Sequence, residues 1–96
     1  IGVMHHGAYL RFFEQARTEH LRQHGFDLNV LFAKYGILFA IKNINISYIK
    51  PCRLDNLLYI KTRIQEIKKA SIIYEQIIYL HGENEEMVCR GTVRLA

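Results

Sequence analysis

The chain has 96 residues, half of them hydrophobic and 23% charged, with a formal net charge of +4. That length allows one domain, 1–96, with a modest core, and that composition excludes a disordered chain. The cations are dispersed except at Lys68–Lys69, which argues against an extended nucleic-acid face and leaves room for a local phosphate contact.

Cys52 and Cys89 are too few for a disulfide framework, although they could pair; they read as reduced thiols in a cytoplasmic protein. No segment approaches the roughly 20 apolar residues of a membrane span. The chain opens on Ile1 and stops at Ala96 inside what reads as a strand. A piece of a longer domain is therefore expected.

From Gly7 the period is helical and runs to His24, with Gly25 as the stop. Tyr9, Phe12, Phe13, Ala16 and His20 make one face, and Leu10, Phe13, Arg17 and Leu21 a second, overlapping stripe. Arg11, Gln15, Thr18, Arg22 and Gln23 form the polar side. Arg11 with Gln15 and Glu14 with Thr18 carry no opposite charges, so packing rather than ion pairing is expected to hold the helix. Asp27 reads as the N-cap of a short helix over Leu28–Lys34 that ends at Gly36.

Everything after Gly36 reads as strand. Ile37, Phe39 and Ile41 are odd-numbered, whereas Ile44, Ile46 and Tyr48 are even, so a bulge or bend is expected near Lys42–Asn43 and a stop at Pro51. From Asn56 to Ile67, Leu58, Ile60, Thr62 and Ile64 alternate with Tyr59, Lys61, Arg63 and Gln65, the pattern of an antiparallel strand with one wet face. A tight turn at Lys68-Lys69-Ala70 leads to a strand over Ser71–His81. A hairpin turn over Gly82–Glu85 leads to a last strand from Met87.

The run Gly2-Val3-Met4-His5-His6-Gly7-Ala8-Tyr9-Leu10-Arg11-Phe12-Phe13-Glu14-Gln15-Ala16-Arg17 resembles the motif that opens the helix of the hotdog-fold thioesterases. The resemblance is to the 4-hydroxybenzoyl-CoA thioesterase branch, which includes the Tol-Pal-associated acyl-CoA thioesterase. It continues through Ser47-Tyr48-Ile49-Lys50-Pro51, Asp55-Asn56-Leu57-Leu58 and the lysine turn. It implies an α+β hotdog fold, a long central helix wrapped by a five- to six-stranded antiparallel sheet. It further implies a homodimer or homotetramer joined through sheet edges, and hydrolysis of acyl-CoA thioesters without metal or other cofactor. His5 departs from the pattern, which usually has tyrosine there, and the catalytic aspartate expected from the resemblance would precede Gly2.

Thioester hydrolysis needs a carboxylate as base or nucleophile, and donors for the developing oxyanion. On the resemblance, the backbone N–H near His5 polarises the carbonyl and the His6 side chain orients the carbonyl or the attacking water. Glu14 is the carboxylate on the helix, with a purely structural role as its alternative. Lys68 and Lys69 match a basic turn that contacts CoA phosphates, and Ser47 and Tyr48 are candidates to line the pantetheine groove. His20 and His24 have the spacing of a helical zinc pair but no third ligand beside them, so no metal is expected. Two other readings stand beside the acyl-CoA thioesterase: an acyl-carrier-protein thioesterase and a non-catalytic acyl-CoA or acyl-carrier binding module.

Overall fold

The computed structural model describes residues 6–52, 57–82 and 85–96. Helix α1 (His6–Gln23) forms where the apolar residues recur at helical spacing. Its buried side is narrower than the two overlapping stripes suggest: Tyr9, Phe13, Arg17 and Leu21, four residues apart, are buried. Leu10 is 41% exposed and belongs to the outer side. One ion pair does brace that outer side, because Arg22 binds Glu19 at 2.6 Å across one turn. The expectation of a helix held by packing alone is corrected to that extent.

Gly25 ends α1 at φ 87°, a left-handed turn that a side chain would strain. There the Phe26 N–H donates to the Leu21 carbonyl and the Gly25 N–H to the Arg22 carbonyl, at 2.9 and 3.0 Å. Helix α2 (Leu28–Tyr35) starts on Asp27, whose carboxylate accepts from the Asn29 and Val30 N–H groups. It stops at Gly36, also left-handed.

Four strands follow: β1 (Ile41–Tyr48), β2 (Leu58–Lys68), β3 (Ser71–Leu80) and β4 (Glu86–Leu95). They form one antiparallel sheet in the order β1-β4-β3-β2. Among the described residues the sheet thus has four strands, where five or six were expected. Strand β1 is shorter than the 37–49 segment, and its register shifts between Ile41 and Asn43, where the change of phase predicts a bulge. A second shift, between Ile64 and Glu66, breaks the alternation of β2 and pairs Ile67 with Ile72. The middle of the 82–85 turn lies outside the described residues.

The helix lies on one face of this sheet, over two apolar clusters. Tyr9, Phe13, Cys52, Ile78, Val88 and Cys89 form the first, under the N-terminal half of α1. Leu21, Tyr74, Val93 and Leu95 form the second, under its C-terminal half. Between them runs a polar tie: Gln76, wholly buried in β3, binds Arg17, the Phe13 carbonyl and Thr62. Gly91 lets the helix come close, since a Cβ there would stand 3.3 Å from the tip of the Phe13 ring. On the opposite face Glu75 accepts from Arg63 and Arg90, one cation from each neighbouring strand, at 2.7 Å each. Among the described residues no helix is long and apolar enough to cross a membrane.

Candidate active site

Helix α1 opens at His6, over the end of the sheet where β1 and β3 finish and β2 and β4 begin. A helix start presents unpaired N–H groups and a partial positive charge, the electrostatics that a developing oxyanion requires. His5 lies outside the described residues. His6 is the first described residue of the helix, and its imidazole lies outside what is described.

One turn on, the Tyr9 ring meets the Tyr48 ring edge to face, with centroids 5.2 Å apart. The Tyr9 hydroxyl lies 3.1 Å from the Cys52 sulfur. Burial first, then this sulfur, pushes the Tyr9 hydroxyl up to about 12, and burial beside Cys52 pushes the Cys89 thiol up to about 11. Both groups therefore stay protonated near neutral pH. Both cysteines are buried and reduced, so neither has the exposed, electropositive setting of a nucleophilic thiol.

The sequence candidates separate in space. Tyr48 stands beside the first turns of α1, 43% exposed. Ser47, its neighbour in β1, pairs with Arg90 and faces the other side of the sheet. Glu14 lies on the exposed side of the helix, in a shallow polar groove with Arg11, Gln15, Thr18 and Glu19. Lys68 and Lys69 form the β2–β3 turn, ten residues along β2 from Leu58, which is about 33 Å at the usual rise of a strand. Within one protomer the lysine turn and the helix N-terminus are at opposite ends. The His20 and His24 rings lie tilted against each other with centroids 4.5 Å apart, and the His24 Nδ1 meets the His20 carbonyl. The described residues hold no cluster of three metal-ligating side chains.

Sequence reasoning passed over Gln76 and the Tyr9–Cys52 contact. Gln76 left a trace, an amide at an inward position of an otherwise aliphatic and aromatic strand. The Tyr9–Cys52 contact, 43 residues apart in sequence, left none.

Residues 1–87 match the family model described as Thioesterase superfamily. The chain belongs to that superfamily. A Haemophilus influenzae protein named acyl-CoA thioesterase YbgC is 38% identical over 95 residues, covering 99% of this chain and 68% of that protein. The Escherichia coli O6:H1 acyl-CoA thioester hydrolase YbgC is 37% identical over 83 residues, 86% of this chain and 60% of its own length. The chain thus spans about two thirds or less of these relatives.

Among solved structures, a probable thioesterase from Bartonella henselae superposes with a TM-score of 0.87 at 39% identity, covering 99% of this chain and 77% of that one. A 4-hydroxybenzoyl-CoA thioesterase mutant crystallised with its CoA thioester superposes with a TM-score of 0.92 at 19% identity, covering 99% of this chain and 71% of that one. At that identity the likeness shows the fold alone. For this superfamily member it means that the α+β helix-on-sheet arrangement described above is the hotdog arrangement.

Proposed function

We propose that this protein hydrolyses acyl-CoA thioesters to the free acid and CoA, with the chemistry at the N-terminal end of α1. The observation that carries the reading is the position of that helix end beside Tyr48, in a chain 38% identical to an acyl-CoA thioesterase. The first amides of the helix, near His5 and His6, polarise the thioester carbonyl, and the resulting negative charge meets the positive end of the helix dipole. The His6 imidazole orients the carbonyl or the water. A carboxylate drives the water: the resemblance assigns this to an aspartate preceding Gly2, and Glu14 is its alternative on the helix.

Strand β1 is an edge of the sheet and exposes Ile41, Ile44 and Tyr48. Pairing of β1 with the same strand of a second copy satisfies its free backbone groups and extends the sheet beyond four strands. A two-fold axis makes that pairing antiparallel. It brings the second copy's Lys68–Lys69 turn to the sheet end that carries this protomer's helix N-terminus. The lysine turn, about 33 Å away within one chain by the rise of β2, then serves CoA phosphates only across the dimer.

The test is release of CoA thiol from acetyl- and decanoyl-CoA by the full-length protein. Turnover that falls at least tenfold in His6→Ala supports the reading. Acyl-CoA binding without thiol release overturns it in favour of a binding module, and release from acyl-carrier protein but not from CoA esters moves the substrate to the carrier protein.

A further inference from the structure

At the other end of α1, a cavity of about 310 Å³ lies between the last turn of the helix, α2 and the β2–β3 hairpin. Leu21, Leu31, Phe39, Ile64, Ile67 and Ile72 line it, and the surface they expose inside is hydrocarbon throughout. Three backbone features shape this space. The left-handed turn at Gly25 carries the chain away from α1, and the one at Gly36 returns it along Ile37 toward β1. The bulge in β2 puts Ile67 opposite Ile72, on the helix side of the sheet, instead of leaving it on the outer face.

The histidines at this end, His20 and His24, also border the cavity and supply no anion site. The His20 Nδ1 is buried without a hydrogen-bond partner, and its ring packs edge-on against Tyr74 at 5.5 Å. The His24 Nδ1 is taken up by the His20 carbonyl at 2.8 Å. Around them stands the C-terminal, negative end of α1, which repels carboxylates and phosphates. A charged group placed inside would lose its hydration and find no opposite charge. A hydrocarbon chain loses nothing there and gains dispersion contacts on every side.

We propose that this cavity binds a neutral hydrocarbon tail, with any polar head held outside its mouth beside the exposed Ile67. The tail could be that of a separate lipid or the acyl chain of a thioester held by a neighbouring copy. The shared chemistry is an unbranched alkyl segment.

The probe is 1-octanol, titrated into the full-length protein and followed by the methyl resonances of isoleucine and leucine, with Kd from calorimetry. The readout needs no thioesterase activity, so its failure and the failure of the proposed function are separable. Saturable shifts at Ile64, Ile67 and Ile72, with at least tenfold weaker binding in Leu31→Trp and Ile67→Glu, support the proposal. Leu31→Trp fills the cavity and Ile67→Glu charges its mouth at a residue 69% exposed, so the two do not share a way of misfolding. Octanoate at pH 8 is expected to bind at least tenfold more weakly than octanol. Absence of saturable binding, shifts that map elsewhere, or equal affinities in both variants overturn the proposal. A Leu31→Trp increase in KM for decanoyl-CoA relative to acetyl-CoA assigns the tail to substrate. An unchanged ratio with octanol binding lost assigns it to a separate lipid, and either result supports alkyl binding.

Discussion

Gln76 of β3 accepts a hydrogen bond from the Arg17 guanidinium at 2.9 Å and donates one to the Phe13 carbonyl at 2.9 Å. This one wholly buried amide thus holds both a charged side chain and the backbone of the helix that lies over the sheet. Burial pulls the Arg17 guanidinium below its ordinary value, and the nearby Glu14 carboxylate acts in the opposite direction. The middle of α1 is fastened to the sheet through this attachment.

Replacing Gln76 by Leu takes from the buried Arg17 cation its amide partner and from the Phe13 carbonyl its second hydrogen bond. A loss of about 2–3 kcal/mol is expected from urea unfolding of Gln76→Leu. The double variant Arg17→Met with Gln76→Leu should regain much of it, since a matched apolar pair removes the unmet charge. A double variant less stable than the single one would show that the tie contributes through packing alone.

Glu75 governs acid stability on the other face. Hydrogen bonds from Arg63 and then Arg90 hold its carboxyl below the usual range. A depressed carboxyl contributes stability that is present above its unfolded value, about 4.3, and is lost as pH falls through the folded value. Thermal midpoints measured from pH 6 down to pH 3 should therefore fall more steeply for the native protein than for Glu75→Gln.

His20 makes a second contribution with the same sign. Burial, and then the neighbouring His24, lower its imidazole below the ordinary value. The charged form is disfavoured in the fold, so stability is complete above about pH 6.5 and declines as pH falls through that value toward the folded one. Denaturant midpoints at pH 7.5, 6.5 and 5.5 are expected to converge in His20→Phe and to spread in the native protein.

Cys89 is fully buried, and its thiol is pushed up to about 11. Because the thiolate is the reactive form, iodoacetamide at pH 8 should leave Cys89 unmodified in the folded protein and modify it in guanidinium. Peptide mass mapping reads this directly. Rapid native labelling would mean that the first core cluster opens locally.

The lysine turn is tested by kinetics. Lys68→Ala with Lys69→Ala should raise KM for CoA esters several-fold and flatten its dependence on salt, with kcat little changed. If the turn acts across a dimer, mixing this variant with a His6→Ala partner yields heterodimers in which one site keeps both groups and the other neither. At substrate well below KM, activity of the mixture above that of either parent supports the arrangement, and its absence removes the turn from the site.

Much of the architecture was legible in local pattern. The helical period from Gly7, the glycine stops at Gly25 and Gly36, the Asp27 cap and the phase change before Asn43 each follow from rules that act over a few residues. The bulge at Gln65 was not legible, because Ile64 and Ile67 fit either continued alternation or a break until β3 supplies the register. The candidate site divides the same way. The motif around His6 is contiguous, whereas the contacts of Tyr9 with Tyr48 and Cys52 join segments about 40 residues apart.

By itself the sequence determined the superfamily and the order and type of the elements, because capping, turn chemistry and hydrophobic period are local and recur as contiguous motifs. Only the tertiary structure decided that Gln76 anchors Arg17, that Tyr48 rather than Ser47 faces the helix, and that Lys68–Lys69 lies at the far end from His6. Those relationships depend on strand register and on where the helix crosses the sheet. Within the opening stretch, Tyr9, Phe13 and Arg17 fasten the helix to the sheet, a division of its faces that its own period does not specify.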